Sequence, residues 1–300
     1  MNKPFNQLKQ DFLDNTDIRD SSRSLYSRVL ELFAKWVVWS GRDIRILKRA
    51  DIIAYKASLT GKKSERTIDN YLSVVRKFYS YLEEVGAHEN IAAGIRVKIK
   101  DRAYKREHLA EDEVKNLISC IDKESIYGKR DYALINLLVR TGIRCIEAER
   151  LRVCDIKGQT GKHWLLLQRK GELTRISKVG VSDKAIQPVL DYLSYRGVED
   201  NSEAVFATSG AWGEHGLTAQ RMSVVIKNRF KKAGIESKMK SAHSLRHTAA
   251  VMAIKMKVPI KEVQVMLGHS NVKTTQLYLE SFEDDLRMNN PAVHALDEAF

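Results

Sequence analysis

Residues 241–280, SAHSLRHTAAVMAIKMKVPIKEVQVMLGHSNVKTTQLYLE, hold five side chains able to do chemistry: His243, Arg246, His247, His269 and Tyr278. His243 and Arg246 stand three apart in a stretch with helical apolar spacing, so they project from one side of that helix. Together they offer a proton carrier and a fixed positive fork to a common point. Val258, Pro259 and Ile260 open the next helix with proline in its first turn, Gly268 ends it, and His269 follows at the turn. Ser270 or Asn271 then caps a third helix that carries Tyr278 about two turns in, among Val272, Thr275 and Leu279. Taken singly, a tyrosine in such company packs a core and a histidine at a helix end satisfies a local hydrogen bond.

These residues need elements to position them. Residues 21–40 place Leu25, Val29, Leu32, Phe33 and Trp36 at helical spacing behind serines, with Gly41 as the stop. The stretch 64–86 repeats the pattern with Ile68, Leu72, Val75, Phe78, Tyr79 and Leu82 on one face and Gly86 at the end. With shorter helices near 4–14 and 50–59, residues 1–93 read as a small all-helical bundle. Residues 94–107, GIRVKIKDRAYKRE, lose the helical period and carry six basic side chains, which predicts a basic linker.

The second domain, residues 108–300, opens with two amphipathic helices in LAEDEVKNLISCI and GKRDYALINLLVRTG. The string HWLLLQRKGELTRISKVGV then places two β-rich runs around Lys170 and Gly171, a hairpin pattern. A helix near 182–195, a short run VFAT at 205–208 and three or four further helices from 218 onward complete it. The fold class is therefore mainly α with a small β-hairpin or sheet.

Composition narrows the partners. The chain has 300 residues and a net charge of +13, from 51 Lys and Arg against 38 Asp and Glu, which makes a polyanion the leading partner. The first hundred residues are the most densely basic. There, Lys62, Lys63, Arg66, Arg76 and Lys77, with Arg96 and Lys98 in the linker, are candidate phosphate grips, although a solvated helix face accounts for such residues equally well. Cys120, Cys145 and Cys154 are odd in number and lack a C-x-x-C pairing, so buried, reduced thiols are expected rather than disulfides or a zinc site. The N-terminus has no apolar signal region and no run approaches the ~20 apolar residues of a membrane span, which predicts a cytoplasmic protein without membrane contact.

Four strings in order, TGIRCIEAERL at 141–151, the hairpin RKG, H-x-x-R-H at 243–247 and LGHSNVKTTQLY at 267–278, together resemble the tyrosine recombinase, or phage integrase, family. The resemblance implies a SAM-like helical DNA-binding domain followed by a catalytic domain, and double-stranded DNA as partner. It matches Arg144 and Arg246 to two arginines that clamp the scissile phosphate, with His269 as a further donor. Lys170 matches the general acid for the leaving 5′ oxygen, His243 the proton handler and Tyr278 the nucleophile. Glu147 matches an acidic position supporting the arginine site, and His247 is assigned a supporting hydrogen-bond role. The hairpin departs from the pattern, since family members often carry glycine before the lysine, which leaves Lys178 or Arg169 as substitutes for Lys170.

Each implied role has a physical reason. A phosphodiester under attack gathers negative charge on its non-bridging oxygens, and guanidinium and imidazole N–H groups aimed there lower the barrier without a metal. A phenol with an ordinary pKa near ~10 needs a base or a cationic setting to attack at neutral pH. The resemblance accordingly implies no cofactor and no metal, and the sequence contains no G-x-x-x-x-G-K-[ST] loop. It further implies a homo-tetramer on two sites, with the tail at 289–300 docking on a neighbouring subunit through Val293, Leu296 and Phe300. Two other readings share these residues: a helix-turn-helix regulator that only binds DNA, built from 258–280, and a type IB topoisomerase that relaxes supercoils as a monomer.

Overall fold

The computed structural model describes residues 4–17, 20–99, 107–169, 172, 174–208, 215–269, 271, 275, 276 and 278. The chain divides into two compact units, Met1–Arg102 and Ala103–Phe300.

Among its described residues the first unit holds four helices, α1 (Phe5–Asn15), α2 (Asp20–Trp39), α3 (Arg49–Leu59) and α4 (Glu65–Glu84). The hydroxyl of Ser64 accepts the backbone N–H of Thr67 at 3.2 Å and starts α4; Gly86, at φ 66°, turns the chain after it. All six apolar residues expected on the inner face of α4 are buried, and Phe78 meets Phe12 edge-on at 5.5 Å. In α2 the expectation needs correction. Val29 and Phe33 are buried as expected, but Leu30 and Val37 complete the inner face, whereas Leu25 and Leu32 are 39 % and 40 % exposed. The apolar residues of α2 cover more than half of its circumference, and only the position of its neighbours decides which arc is inside.

The second unit contains α5 (Glu111–Ser119), α6 (Ile126–Thr141), α7 (Cys145–Arg150), β1 (Ile156–Gln159), β2 (Lys162–Leu167), β3 (Ser177–Val181), α8 (Asp183–Arg196), α9 (Ala219–Lys232), α10 (Ala242–Lys255) and α11 (Ile260–Leu267). Helix α6 runs through the middle of the core, with Ala133, Leu134, Ile135, Leu137 and Leu138 all buried between α8 and α10. A helix apolar on nearly every side is one that neighbours surround. Its buried charges are paired: Asp131 accepts from Arg130 at 2.8 Å and from Arg229 of α9 at 2.6 Å.

The sheet is antiparallel in the order β1, β2, β3, with Ile156 and Val179 opposite Leu165 on its two sides. The hairpin expectation gave two of these strands. β1, only four residues long and containing Gly158, has too little alternation to announce itself. The run at 205–208 is not a sheet strand; Ala207 forms a single bridge with Gly216.

The cysteine expectation is also corrected. The thiols are free, but Cys120 and Cys154 are exposed and only Cys145 is partly covered. Cys120 caps the end of α5 and Cys154 lies in the short 3-10 turn after α7, both at the edge of the unit. Among the described residues no helix is long and apolar enough to cross a membrane.

Candidate functional site

Helix α6 ends at Gly142, whose φ of 65° suits glycine, and the chain turns directly into Arg144 at the N-cap of α7. Glu147, fully buried, holds Arg144 twice: one carboxylate oxygen accepts its backbone N–H at 2.8 Å, the other its guanidinium at 2.7 Å. The carboxylate fixes the arginine's direction and leaves its side chain a quarter exposed.

Helix α10 presents His243 in its first turn and Arg246 one turn later. Arg246 is 2 % exposed and donates from Nη1 to the Gly142 carbonyl at 2.6 Å and from Nη2 to the Leu267 carbonyl at 2.8 Å. It thus ties the end of α6 to the end of α11. Burial, and then repulsion from Arg144, bring its pKa down to about 10, so it stays charged at neutral pH. The approach leaves no room for a side chain at position 142: a Cβ there would stand 2.6 Å from Leu267 Cδ2.

Pro259 opens α11, and Gly268, at φ 62°, closes it. His269 is then locked at three points. Its N–H donates to the Gln264 carbonyl at 3.1 Å, its carbonyl accepts from Gln264 Nε2 at 2.9 Å, and Nδ1 lies 2.8 Å from the hydroxyl of Thr275. Burial first, then the charges of Arg246 and Arg144, lower its pKa to about 3. The ring is therefore neutral at pH 7, and if Nδ1 accepts from Thr275, Nε2–H is left to donate.

Tyr278, 2 % exposed, lies between two imidazoles, with ring centroids 4.9 Å from His247 and 5.9 Å from His269. His247 also meets His108, with ring centroids 5.5 Å apart. Just after His108, the Leu109 N–H donates to Thr248 of α10 at 2.8 Å, which anchors the start of this unit to the same helix.

Arg144, His243 and Arg246 open onto one cavity of about 450 Å³, whose facing wall is α9 with Gln220, Ser223 and Lys227. That polar row, at positions i, i+3 and i+7 of one helix, was legible as a face but carried no motif. The sequence offers Arg169 only as a substitute for Lys170. It is buried here, donating to the Leu267 carbonyl at 2.7 Å and lying 3.8 Å from Glu147 Oε1. Lys178 is exposed on β3. Lys170 lies outside the described residues, as does the tail at 289–300.

In the first unit, Lys62, Lys63 and Arg66 are exposed around the turn from α3 into α4, and Arg96 and Lys98 are exposed near its end. Arg76 donates to the Ile95 carbonyl, and Lys77 reaches the Tyr26 hydroxyl at 3.0 Å, so both also hold the unit together. Among the described residues there is no group of three metal-ligating side chains.

The sequence model of the phage integrase family matches residues 107–284, and that of the phage integrase N-terminal SAM-like domain matches residues 5–86. The tyrosine recombinase XerD of Listeria innocua is 28% identical over 291 residues, spanning 91% of this chain and 93% of its own. A tyrosine recombinase of Thermosipho africanus is 31% identical over 255 residues, spanning 82% and 84%. Among solved structures, the XerH site-specific recombinase in a post-cleavage complex with palindromic difH substrate is similar in fold, at a TM-score of 0.74 and 20% identity over 95% of this chain and 84% of that one. A lambda integrase tetramer bound to a Holliday junction is similar at a TM-score of 0.69 and 14% identity, over 91% and 76%.

Proposed function

The chain belongs to the phage integrase family and is a site-specific tyrosine recombinase, and from that premise we propose which of its residues carry the reaction and how. The observation that carries the assignment is the convergence of Arg144, His243 and Arg246 on one cavity.

Duplex DNA enters that cavity with its scissile phosphate against the guanidinium groups of Arg144 and Arg246, and the neutral His269 ring adds an N–H donor. These fixed donors meet charge that grows on the non-bridging oxygens as the phosphorus is attacked. The phenolic oxygen of Tyr278 forms the new bond to phosphorus while the bond to the 5′ oxygen breaks. The phenolic proton passes to His243, and Lys170 supplies a proton to the departing oxygen. The product is a 3′-phosphotyrosine and a free 5′-hydroxyl. Because the covalent link retains the energy of the phosphodiester, a second 5′-hydroxyl can reverse the step and rejoin the strand without ATP.

Glu147 sets Arg144, and His247 sets the Tyr278 ring. Lys62, Lys63, Arg66, Arg76, Lys77, Arg96 and Lys98 contact backbone phosphates. Four copies act together on two sites in the cytoplasm, each tail at 289–300 docking on a neighbour. A DNA-binding regulator and a type IB topoisomerase find no support in the likenesses above.

The test is covalent capture. The protein is incubated with fragmented DNA from its source, denatured, and the protein-linked fragments are sequenced, with Tyr278→Phe alongside. Fragments that share a sequence and vanish with the substitution are the expected result. Tight binding without any tyrosine-dependent adduct would reject the assignment.

A further inference from the structure

We propose that Arg169 is a positioning residue of this centre, a charged bridge that holds the hairpin segment leading into Lys170 against the carbonyl that also anchors Arg246. The proposal rests on the reading of the site given above.

The side chain of Arg169 reaches across 98 residues of sequence to the end of α11, where its Nη1 and the Nη2 of Arg246 donate to the same Leu267 oxygen, at 2.7 and 2.8 Å. The same Nη1 lies 3.8 Å from the Glu147 oxygen that receives Arg144 at 2.7 Å. One guanidinium therefore adjoins the anchor of each arginine in the cavity. It lies so close to the backbone of Gly268 that a Cβ there would stand 2.0 Å from its central carbon.

The main chain at 169 is held as well. Its N–H donates to a Glu172 carboxylate oxygen at 3.0 Å, and its carbonyl accepts the Glu172 N–H at 3.0 Å. The Glu172 carboxylate also receives the Ser177 hydroxyl at the start of β3, at 3.2 Å. Arg169 is thus held locally through Glu172, and its side chain is held at the end of α11 through the Leu267 carbonyl.

A guanidinium buried beside two others works against like-charge repulsion, and a neutral donor would satisfy the Leu267 carbonyl without it. The charge itself must serve, and two uses are open to it: balancing Glu147 and adding positive potential where a phosphate binds.

Full-length Arg169→Ala, Arg169→Gln and Arg169→Lys are compared with the unaltered chain on the same fragmented source DNA. The single-turnover rate of adduct formation is measured against protein concentration, which separates the maximal rate from DNA affinity. The expected result is a maximal rate lowered by about 10- to 100-fold in Arg169→Ala and Arg169→Gln, with affinity within about twofold. Arg169→Lys, which keeps the charge and one donor, recovers most of the rate. Amide hydrogen exchange, which needs no DNA, should rise in Arg169→Ala around 168–172 and 267–269 and nowhere else.

A wild-type maximal rate in both neutral variants overturns the proposal. Equal rates in the lysine and glutamine variants overturn the role of charge. If Arg169→Ala does not fold, the glutamine and lysine variants carry the test. If the unaltered chain forms no Tyr278-dependent adduct, the reading of the site has failed instead, and unchanged exchange at 267–269 would then overturn the Arg169 bridge by itself.

Discussion

At the scale of single residues, the site consists of charges whose neighbours hold them still. Arg246 is used twice as a structural fork before any substrate arrives, and Arg144 is aimed by a carboxylate with no solvent exposure. His269 is the side chain whose ionisation the fold alters most usefully. Its folded pKa of about 3 lies below the ordinary value of 6.5, so between these limits the unfolded chain binds the extra proton. Stability contributed by the neutral ring is complete above about pH 6.5 and is lost progressively as the pH falls toward about 3. Urea unfolding at a series of pH values across that window is expected to show a steeper loss for the wild type than for His269→Gln; parallel losses would contradict the buried neutral ring. The residue types were legible from the sequence because H-x-x-R-H, Gly-His and the following tyrosine keep their order. Arg169 was not, because nothing local marks a side chain whose partner carbonyl lies 98 positions away.

At the scale of elements, two helix ends meet at the proposed site. Gly142 and Gly268 terminate α6 and α11, and each leaves a gap that an arginine or leucine fills. Positive φ alone makes alanine unfavourable at such positions, by on the order of 1 kcal/mol. Gly61, at φ 76° with nothing within 4 Å of where a Cβ would be, is the control for that backbone cost. Gly142→Ala is expected to lose at least about 1 kcal/mol more than Gly61→Ala, because the added methyl displaces Leu267 and with it the carbonyl that Arg246 holds. Adduct formation should fall only in Gly142→Ala; denaturant midpoints and adduct rates on the two variants check both halves. Helix-stop glycines were visible in the sequence as stops, but not as close approaches. The inner face of α2 is hidden from the sequence for a related reason: periodicity shows that a helix has an apolar arc, while the packing of its neighbours decides whether Leu30 or Leu32 lies in it.

At the scale of the whole molecule, the net charge of +13 becomes a statement about binding only when exposed cations are separated from those that hold the fold. Lys62, Lys63 and Arg66 are exposed with no ion pair among the described residues, whereas Arg76 and Lys77 have partners inside their own unit. Replacing Lys62, Lys63 and Arg66 together by alanine is expected to flatten the plot of log affinity against log salt by up to about 3, near 0.9 for each phosphate that the protein no longer neutralises. An unchanged slope would remove these residues from the interface. Division into a basic helical unit and a catalytic unit could be read from the loss of helical period after residue 93, since period and charge are local properties. The third strand and the exposure of Cys120 and Cys154 could not, because they depend on what packs nearby. The crowded space at Gly142 also has a genetic meaning. Every missense change in a glycine codon adds a Cβ, so no amino-acid substitution there leaves the Leu267 and Arg246 packing untouched. In a screen for alleles that have lost recombination, codon 142 will behave like the codons of the residues proposed to react, although its own side chain is a single hydrogen.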